Sequence, residues 1–288
     1  MKEENESVST GSSRGTGIKG TILVVGSSAD FLMTKDGKKE PVGYYLNELT
    51  VPVQAALENG YEMVLATPKG GKPNVDRQSK TARHFGGSEE ALNKALDFVA
   101  TYPAMQNPRS LRSVIDEGLE KYAAFFTPGG HPPMVDLMQD PDLGEILRYF
   151  HTAGKVTALL CHGPIAIAAA IPKATAFRAA MVNGDMEAAK KAAEGWQYAG
   201  YRMTIFSNDE EYYAEENYMG GSKVPFYVFE ALKTAGGIVE IGDNGIFKPH
   251  LVEDRELITG QNPPSDHLMA AAFVKALDRQ YEALSVAL

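Results

Sequence analysis

The residue pair best suited to covalent chemistry in this chain is a cysteine followed at once by a histidine. Cys161 is the only cysteine among the 288 residues, and it directly follows the short apolar run 156–160. An apolar run of about five residues that stops at turn-forming residues is typical of a buried strand in a parallel sheet. Segment 164–171 begins with proline and is rich in alanine and isoleucine, which favours a helix. The thiol of Cys161 is therefore predicted to lie at a strand-to-helix corner, raised above the sheet.

This position would suit Cys161 as a nucleophile. The N-terminus of the following helix is expected to lower the pKa of the thiol and to increase its thiolate fraction. The adjacent His162 could serve as the base that a cysteine nucleophile needs. The alternatives are that the lone cysteine is a small buried apolar residue and that His162 caps a helix. The corner and the neighbouring imidazole together favour catalysis.

A glycine pair follows the predicted strand 123–127. Gly129 and Gly130 precede His131, and glycine lets the backbone approach a ligand closely. Backbone N–H groups in this loop could stabilise a developing oxyanion. His131 would either line the same pocket or only close the turn. The loop is therefore a candidate substrate-binding and oxyanion site.

Two glutamates are the candidate carboxylates. Glu211 follows a predicted strand and ends an acidic run that begins with Asp209 and Glu210. Such a run is ordinarily a solvated surface, but Glu211 is the best candidate for the acid that orients a catalytic histidine, with its two neighbours as alternatives. Glu48 lies among apolar residues on the predicted helix 44–59. Its pKa is expected to rise there, so that the protonated carboxyl could donate a hydrogen bond to a thiolate; the alternative is an exposed helix glutamate.

The elements that must position these residues alternate between strands and helices. Buried strands are predicted at about 21–26, 62–67, 123–127, 156–160 and 202–206. This alternation predicts an α/β fold with a doubly wound, flavodoxin-like, mostly parallel sheet between helices, in a single domain with insertions. In such sheets ligands bind at the C-terminal ends of the strands. The candidate segments all lie at such ends or on the helix beside them.

The chain divides into a tail and one folded domain. Residues 1–18 are polar and rich in glycine and serine, so they are predicted to form a disordered tail. The domain is predicted to span 19–288. Within it, segment 185–200 carries many small and charged residues and is predicted to be a surface insertion near the pocket rim.

Composition limits the possible partners and location. The formal net charge is −9 and there is no basic run, which argues against nucleic acid and against a membrane surface as partners. No stretch approaches the ~18 apolar residues of a membrane span, and the N-terminus lacks the apolar core of a signal peptide. A single cysteine excludes an internal disulfide framework and a cysteine-based zinc site. These features predict a cytoplasmic protein.

Several short motifs identify a family resemblance. They are GYYLNE at 43–48, TPGGH at 127–131, LCHGP at 160–164, FSNDEE at 206–211, YMGG at 218–221 and ITGQNP at 258–263. In this order they resemble the DJ-1/PfpI superfamily, and most closely its Hsp31-type branch of glyoxalase III enzymes and stress chaperones. The resemblance extends over nearly the whole chain.

The resemblance implies a role for each candidate residue. Cys161 matches the family nucleophile, His162 matches its neighbouring histidine, and Glu211 matches the third acid of the triad. Glu48 matches the helix-borne glutamate that hydrogen-bonds the thiol sulfur. Backbone N–H groups of the glycine pair and of His162 would form the oxyanion site.

The resemblance also implies a homodimer that needs no cofactor. Some Hsp31-type chaperones hold a metal ion with two histidines and a carboxylate. Here His131 occupies one of those positions, but Tyr45 stands roughly where the second histidine would be. No metal is therefore predicted.

These inferences predict a cofactor-independent glyoxalase III (D-lactate dehydratase), which converts methylglyoxal, a small 2-oxoaldehyde, and water to lactate. The alternatives are a stress-inducible holdase that binds unfolded client proteins, or a protein deglycase of the Hsp31 type. A cysteine peptidase or amidase ranks lower, because amidotransferases of this fold separate their histidine from the cysteine.

Overall fold

The computed structural model describes residues 17–286. In chain order the strands are β1 Gly20–Val25, β2 Phe31–Met33, β3 Lys39–Pro41, β4 Tyr61–Thr67, β5 Arg109–Ser110, β6 Tyr122–Thr127, β7 Thr157–Leu160, β8 Arg202–Met203, β9 Ile238–Val239, β10 Leu251–Asp254 and β11 Leu257–Gly260. The α-helices are α1 Leu46–Glu58, α2 Glu89–Thr101, α3 Pro103–Gln106, α4 Leu111–Asp116, α5 Pro141–Thr152, α6 Ala174–Asn183, α7 Met186–Ala192, α8 Asn208–Tyr218, α9 Val228–Thr234 and α10 Asp266–Val286.

One large sheet forms the centre of the molecule. Within residues 17–286 it has seven strands in the order β10-β11-β7-β6-β1-β4-β5. The pairs are parallel except for β10 with β11, which is antiparallel. The C-terminal half of β1 and all of β7 are buried, as expected of strands covered by other elements on both faces. The predicted doubly wound, mostly parallel α/β fold is confirmed.

Strand β7 positions the cysteine. It lies between β6 and β11, so the chain leaves the interior of the sheet immediately before Cys161. A buried 3₁₀ helix, Gly163–Ala170, follows in place of a regular α-helix. The predicted strand-to-helix corner is therefore present, but the helix beyond it has the tighter 3₁₀ form.

Two other expectations need correction. The strand predicted over 202–206 is only β8, which pairs with β9 in a separate small ladder. Segment 185–200 is not confined to the surface, because it contains α7 and the buried Trp196 and Tyr198. The indole N–H of Trp196 donates a hydrogen bond to the Ile167 carbonyl at 3.0 Å, which holds the segment on the core.

The predicted tail falls mainly outside the described residues, which begin at Gly17. Gly17 and Ile18 are exposed and belong to no strand or helix. Among residues 17–286, no helix combines the length and the apolar character needed to cross a bilayer.

Candidate active site

The backbone at Cys161 forms a sharp, stabilised turn. Its φ is +61°, a left-handed conformation that a side chain normally disfavours. Two hydrogen bonds hold it there: the Cys161 N–H donates to the Gly260 carbonyl at 2.8 Å, and the Phe206 N–H donates to the Cys161 carbonyl at 3.0 Å. Neighbouring segments thus impose the conformation of a nucleophile elbow.

Cys161, His162 and Glu211 come together in the order of a catalytic triad. The Sγ atom of Cys161 lies 3.4 Å from Nδ1 of His162, and Nε2 of His162 lies 2.6 Å from Oε2 of Glu211. Because a carboxylate only accepts hydrogen bonds, the His162 Nε2–H must be the donor. Nδ1 of a neutral His162 is then unprotonated and faces the thiol. It can take up the thiol proton.

Glu211 also binds a second histidine. Nε2 of His131 lies 2.6 Å from Oε1 of Glu211, so each carboxylate oxygen of Glu211 accepts from one imidazole. The His131 and His162 rings are 4.4 Å apart between centroids. The side chain of His131 is 14% exposed and that of His162 only 3%. His131 therefore lies on the open side of the triad.

The bridging carboxylate shifts the pKa values of this group in different directions. Burial alone would raise the pKa of Glu211, but His131 and His162 outweigh burial and hold that pKa far below its ordinary value. Burial lowers the pKa of His162, and Glu211 opposes this only in part. Burial also disfavours a charge on His131, yet Glu211 and Asp76 raise its pKa. These directions favour an ionised Glu211 and a neutral His162, and they make His131 easier to protonate than an ordinary histidine.

Glu48 is fully buried at the start of α1, next to the glycine loop. Its Oε2 accepts a hydrogen bond from the Gly129 N–H at 2.7 Å, and its Oε1 has no hydrogen-bond partner within the described chain. Burial raises its pKa well above the ordinary value, although Gly129 opposes this. The direction is the one predicted from its apolar neighbours. A buried carboxyl in this state is neutral and can donate a hydrogen bond.

The predicted lowering of the Cys161 pKa is wrong. Burial is the main cause that raises the pKa of this thiol, whereas a hydrogen bond from the Gly130 N–H opposes it. The thiol is 3% exposed, and desolvation disfavours a thiolate. The 3₁₀ helix beyond it does not compensate. Burial therefore favours the thiol over the thiolate, and Nδ1 of His162, 3.4 Å from the sulfur, is the base within reach of its proton.

The glycine loop is required for close packing around the nucleophile. A Cβ at Gly129 would lie 2.5 Å from the Cβ of Cys161, and one at Gly130 would collide with the Gly43 carbonyl. Gly130 also has φ +85°, which favours glycine. The Gly129 N–H is already bonded to Glu48, so its predicted role as an oxyanion donor is wrong. The backbone N–H groups of Gly130 and His162 remain as candidate donors.

The three residues of the acidic run, Asp209, Glu210 and Glu211, lie in different environments. Asp209 is exposed and Glu211 completes the triad. Glu210, fully buried, forms a capping box with Ser207 at the start of α8 and also accepts hydrogen bonds from Gln261 and Asn262. It anchors the helix that carries Glu211. The Ser-x-x-Glu spacing is a signal that could have identified this role in the sequence.

Cys161, His131 and His162 line a cavity of about 300 Å³. Its wall includes residues that the motif analysis did not select as site residues, from segments distant in sequence: Glu40, Tyr45, Asp76, Arg77, Arg83, His84, Phe206, Tyr213, Tyr218 and Phe247. His84 is half-buried, and its ring packs edge-on against that of Tyr45 with the centroids 5.3 Å apart. Burial and the neighbouring Arg83 lower its pKa to about 4. No spacing pattern in the sequence brings these residues together.

His131, His162 and Glu211 together offer atoms of the kind that bind metal ions. Donor atoms of His131, His162 and Glu211 lie within 4.8 Å of one another. Both carboxylate oxygens already accept imidazole N–H groups at 2.6 Å, so Glu211 and the two Nε2 atoms are engaged with one another. The arrangement suits a hydrogen-bonded proton network, and we derive no step through a metal.

Comparison with known proteins is consistent with this geometry. The model of the family described as ThiJ/PfpI family-like matches residues 40–221, which include every candidate site residue. The chain belongs to the ThiJ/PfpI family. Within the DJ-1/PfpI superfamily it falls in the Hsp31-type branch, as predicted.

Relatives of this ThiJ/PfpI protein include curated enzymes. It is 23% identical over 261 residues to the protein/nucleic acid deglycase HchA of Pseudomonas aeruginosa, covering 89% of this chain and 80% of the relative. It is 26% identical over 249 residues to HchA of Escherichia coli, covering 85% and 76%. Both relatives carry the name of an enzyme, a deglycase.

Solved structures confirm the fold. The glyoxalase III of Candida albicans superposes with a TM-score of 0.66 at 21% identity, covering 90% of this chain and 98% of the other. The rapid encystment protein of Francisella tularensis gives a TM-score of 0.66 at 23% identity, covering 90% and 99%. At these identities the likeness establishes the shared architecture.

Proposed function

We propose that this protein is a cofactor-independent glyoxalase III that converts methylglyoxal and water to lactate. The observation that carries the proposal is the position of His162, which lies between the Cys161 sulfur at 3.4 Å and the Glu211 carboxylate at 2.6 Å. The group faces a cavity of about 300 Å³, which has room for a small 2-oxoaldehyde.

The first step forms a hemithioacetal. As Cys161 Sγ bonds to the aldehyde carbon C1, Nδ1 of His162 takes the thiol proton and then delivers it to the oxygen on C1. The N–H groups of Gly130 and His162 stabilise that oxygen while it is negative. The neutral Glu48 carboxyl stabilises sulfur as its charge changes. No external acid or base is needed in this step.

The second stage moves hydrogen from C1 to C2. His162 removes the C1 proton, an enediol forms, and the same imidazole returns the proton to C2. The product is a lactoyl thioester of Cys161, which water hydrolyses to lactate and free thiol. Glu211 keeps Nε2 of His162 protonated throughout, so Nδ1 remains the working nitrogen.

Deglycation is a second candidate, favoured by the name deglycase that the HchA relatives carry. An amine adds to methylglyoxal to give an adduct whose C1 still carries hydrogen and oxygen. Attack of Cys161 at that carbon with release of the amine yields the same hemithioacetal. Both reactions then share every later step.

The deciding experiment measures lactate from methylglyoxal without added thiol or metal, for the wild type and for Cys161→Ala. Wild-type turnover that the variant lacks supports the proposal; lactate formation by Cys161→Ala at a similar rate would reject the nucleophile. A preformed methylglyoxal adduct of an amine, assayed with an excess of scavenger for free methylglyoxal, separates deglycation. Amine release at the uncatalysed rate contradicts deglycation.

Holdase activity toward unfolded proteins, homodimeric assembly and a cytoplasmic location stay predictions. Holdase activity does not require a thiol. Suppression of client aggregation should therefore persist in Cys161→Ala, and equal loss of both activities would argue against an independent holdase.

A further inference from the structure

The second histidine on Glu211 has one ring nitrogen, Nδ1, that its contact with the carboxylate does not use. Nε2 of His131 is committed to Glu211 at 2.6 Å, whereas its Nδ1 makes no hydrogen bond to any residue in the range 17–286. His131 lines the cavity together with Cys161. A proton on Nδ1 would therefore be offered to a molecule bound there.

We propose that His131 is the general acid of the isomerisation, donating a proton from Nδ1 to the oxygen on C2 of the substrate while His162 acts as the base at carbon. The proposal rests on the glyoxalase III function proposed above. It assigns the two imidazoles on one carboxylate to two different proton transfers.

The proton balance requires such a group. When His162 removes the C1 proton of the hemithioacetal, the C1–H electron pair forms the C1–C2 double bond, and the carbonyl pair moves to the C2 oxygen. His131 Nδ1–H protonates that oxygen and gives the enediol. His162 then returns its proton to C2, and the C1 hydroxyl proton goes to Nδ1 of His131 as the thioester carbonyl forms. Both histidines return to their starting states without an external oxidant or reductant.

The electrostatics suit opposite roles for the two imidazoles. The charged groups that face His131 are Glu211 from α8, Asp76 from the loop after β4 and Glu40 from β3, and together they raise its pKa against the effect of burial. His162 is more deeply buried, and its pKa is lowered. Two groups whose surroundings push their pKa values apart are suited to act as acid and base.

The backbone fixes the position of His131. It follows Gly130, whose left-handed φ of +85° directs the chain into the site, and it precedes Pro132 in a short 3₁₀ helix. The turn fixes the backbone of His131, and the hydrogen bond to Glu211 fixes its ring. The side chain therefore has little rotamer freedom left to lose when a substrate binds.

The test compares His131→Gln and His131→Ala with the wild type for lactate formation, together with iodoacetamide alkylation of Cys161. Glutamine keeps an N–H donor for Glu211 but cannot transfer a proton. We expect kcat to fall about 10²- to 10³-fold in both variants, the usual loss for a general acid. Alkylation of Cys161 should stay within about threefold, because His162 and Glu211 remain. His267→Ala, on the surface of α10, is the matched histidine control.

Two further measurements separate an acid from a structural residue. Added imidazole should restore at least about tenfold of the activity of His131→Ala, since it can occupy the vacated volume and supply the proton. The alkaline limb of the wild-type kcat profile, which reflects loss of the His131 proton above its raised pKa, should disappear in both variants.

Each contrary result has its own meaning. If the wild type forms lactate and His131→Gln keeps kcat within about threefold, His131 only positions Glu211, and the inference fails while the proposed function stands. Parallel loss of alkylation without imidazole rescue also assigns His131 a positioning role and overturns the inference. If the wild type forms no lactate, the proposed function fails and this role fails with it.

Discussion

Strand β7 has a histidine–glutamate pair near each of its ends, and the two pairs differ in what surrounds them. Beyond its C-terminal end, His162 and Glu211 are 2.6 Å apart, with side chains 3% and 2% exposed. At its N-terminal end, the Thr157 N–H donates to the carbonyl of Glu256, whose side chain lies 2.8 Å from Nδ1 of His151.

The pair of His151 and Glu256 has neither the thiol nor the cavity that lies beside His162 and Glu211. Glu256 also accepts hydrogen bonds from the Tyr201 hydroxyl at 3.2 and 3.1 Å, and the Arg255 guanidinium stacks on the Tyr201 ring. Neither a thiol nor the main cavity is adjacent. A His–Glu pair therefore becomes catalytic through its nucleophile and its cavity, whereas the pair alone can be structural.

The largest expected difference is between Glu211→Gln and Glu256→Gln. Glu211→Gln removes the charge that orients His162 and His131, so we expect lactate formation to fall about 10²- to 10³-fold. Glu256→Gln should keep kcat within about twofold. The measurement is kcat for methylglyoxal in both variants. Similar losses would mean that the two pairs are equivalent in function, contrary to the distinction drawn between them.

Glu211→Gln should also unfold more easily than the wild type. Removing one partner of a buried ion pair costs about 3 kcal/mol, and Glu211→Gln removes the carboxylate that favours a charge on His131. The stabilisation from Glu211 is present above its unfolded-state pKa near 4.5 and is lost as pH falls through its lowered folded-state value. The stabilisation from His131 is fully present below pH 6.5, the unfolded-state pKa, and is lost as pH rises through the raised folded-state pKa.

The difference in unfolding free energy between wild type and Glu211→Gln should therefore be greatest at about pH 4.5 to 6.5. Urea unfolding across pH measures this difference. A difference that increases steadily from pH 6.5 to pH 9 would contradict the charge assignment.

A smaller effect tests the protonation of Glu48. If its carboxyl is neutral, Glu48→Gln replaces an O–H donor with a weaker N–H donor, and the alkylation profile of Cys161 should shift about one unit to higher pH, a change of about 1.4 kcal/mol. If the carboxyl is ionised, the same substitution removes a negative charge and shifts the profile to lower pH. The direction of the shift therefore decides between the two states.

The smallest effect is expected at Asp209, in the same acidic run as Glu211. It is exposed in the first turn of α8, so Asp209→Asn should cost only about 0.3–1 kcal/mol through the helix dipole. Its kcat should equal that of the wild type. A loss of kcat similar to that of Glu211→Gln would show that the run acts through its total charge and not through one positioned carboxylate.

Much of the site could be predicted because its residues follow recognisable local patterns. The apolar run before Cys161 predicted β7 and the corner, and the alternation of strands and helices predicted the sheet. The choice of Glu211 from three neighbouring acids was also correct in geometry, since it is the one that contacts His162. Local spacing was sufficient at β7 and at Glu211, whereas the strand predicted over 202–206 is only β8.

At the candidate site, the predictions that failed were those that depended on distant contacts. The lowered pKa of Cys161 assumed an exposed thiol at an α-helix, but other elements bury the sulfur and the helix is 3₁₀. Gly129 was assigned to an oxyanion, but Glu48 from α1 takes its N–H. The role of His131 was left open between pocket and turn, and only the fold brings it to Glu211.

The sequence by itself determined three features, because each is a property of neighbouring residues. They are the periodicity of the strands and helices, the glycine pair at 129–130 and the adjacency of the thiol and the imidazole. Which groups lose their water, and which carboxylate oxygen each imidazole meets, depended on the folded arrangement of distant segments. Desolvation and charge pairing act through space, so the protonation states of Cys161, His131 and Glu48 are properties of the folded chain.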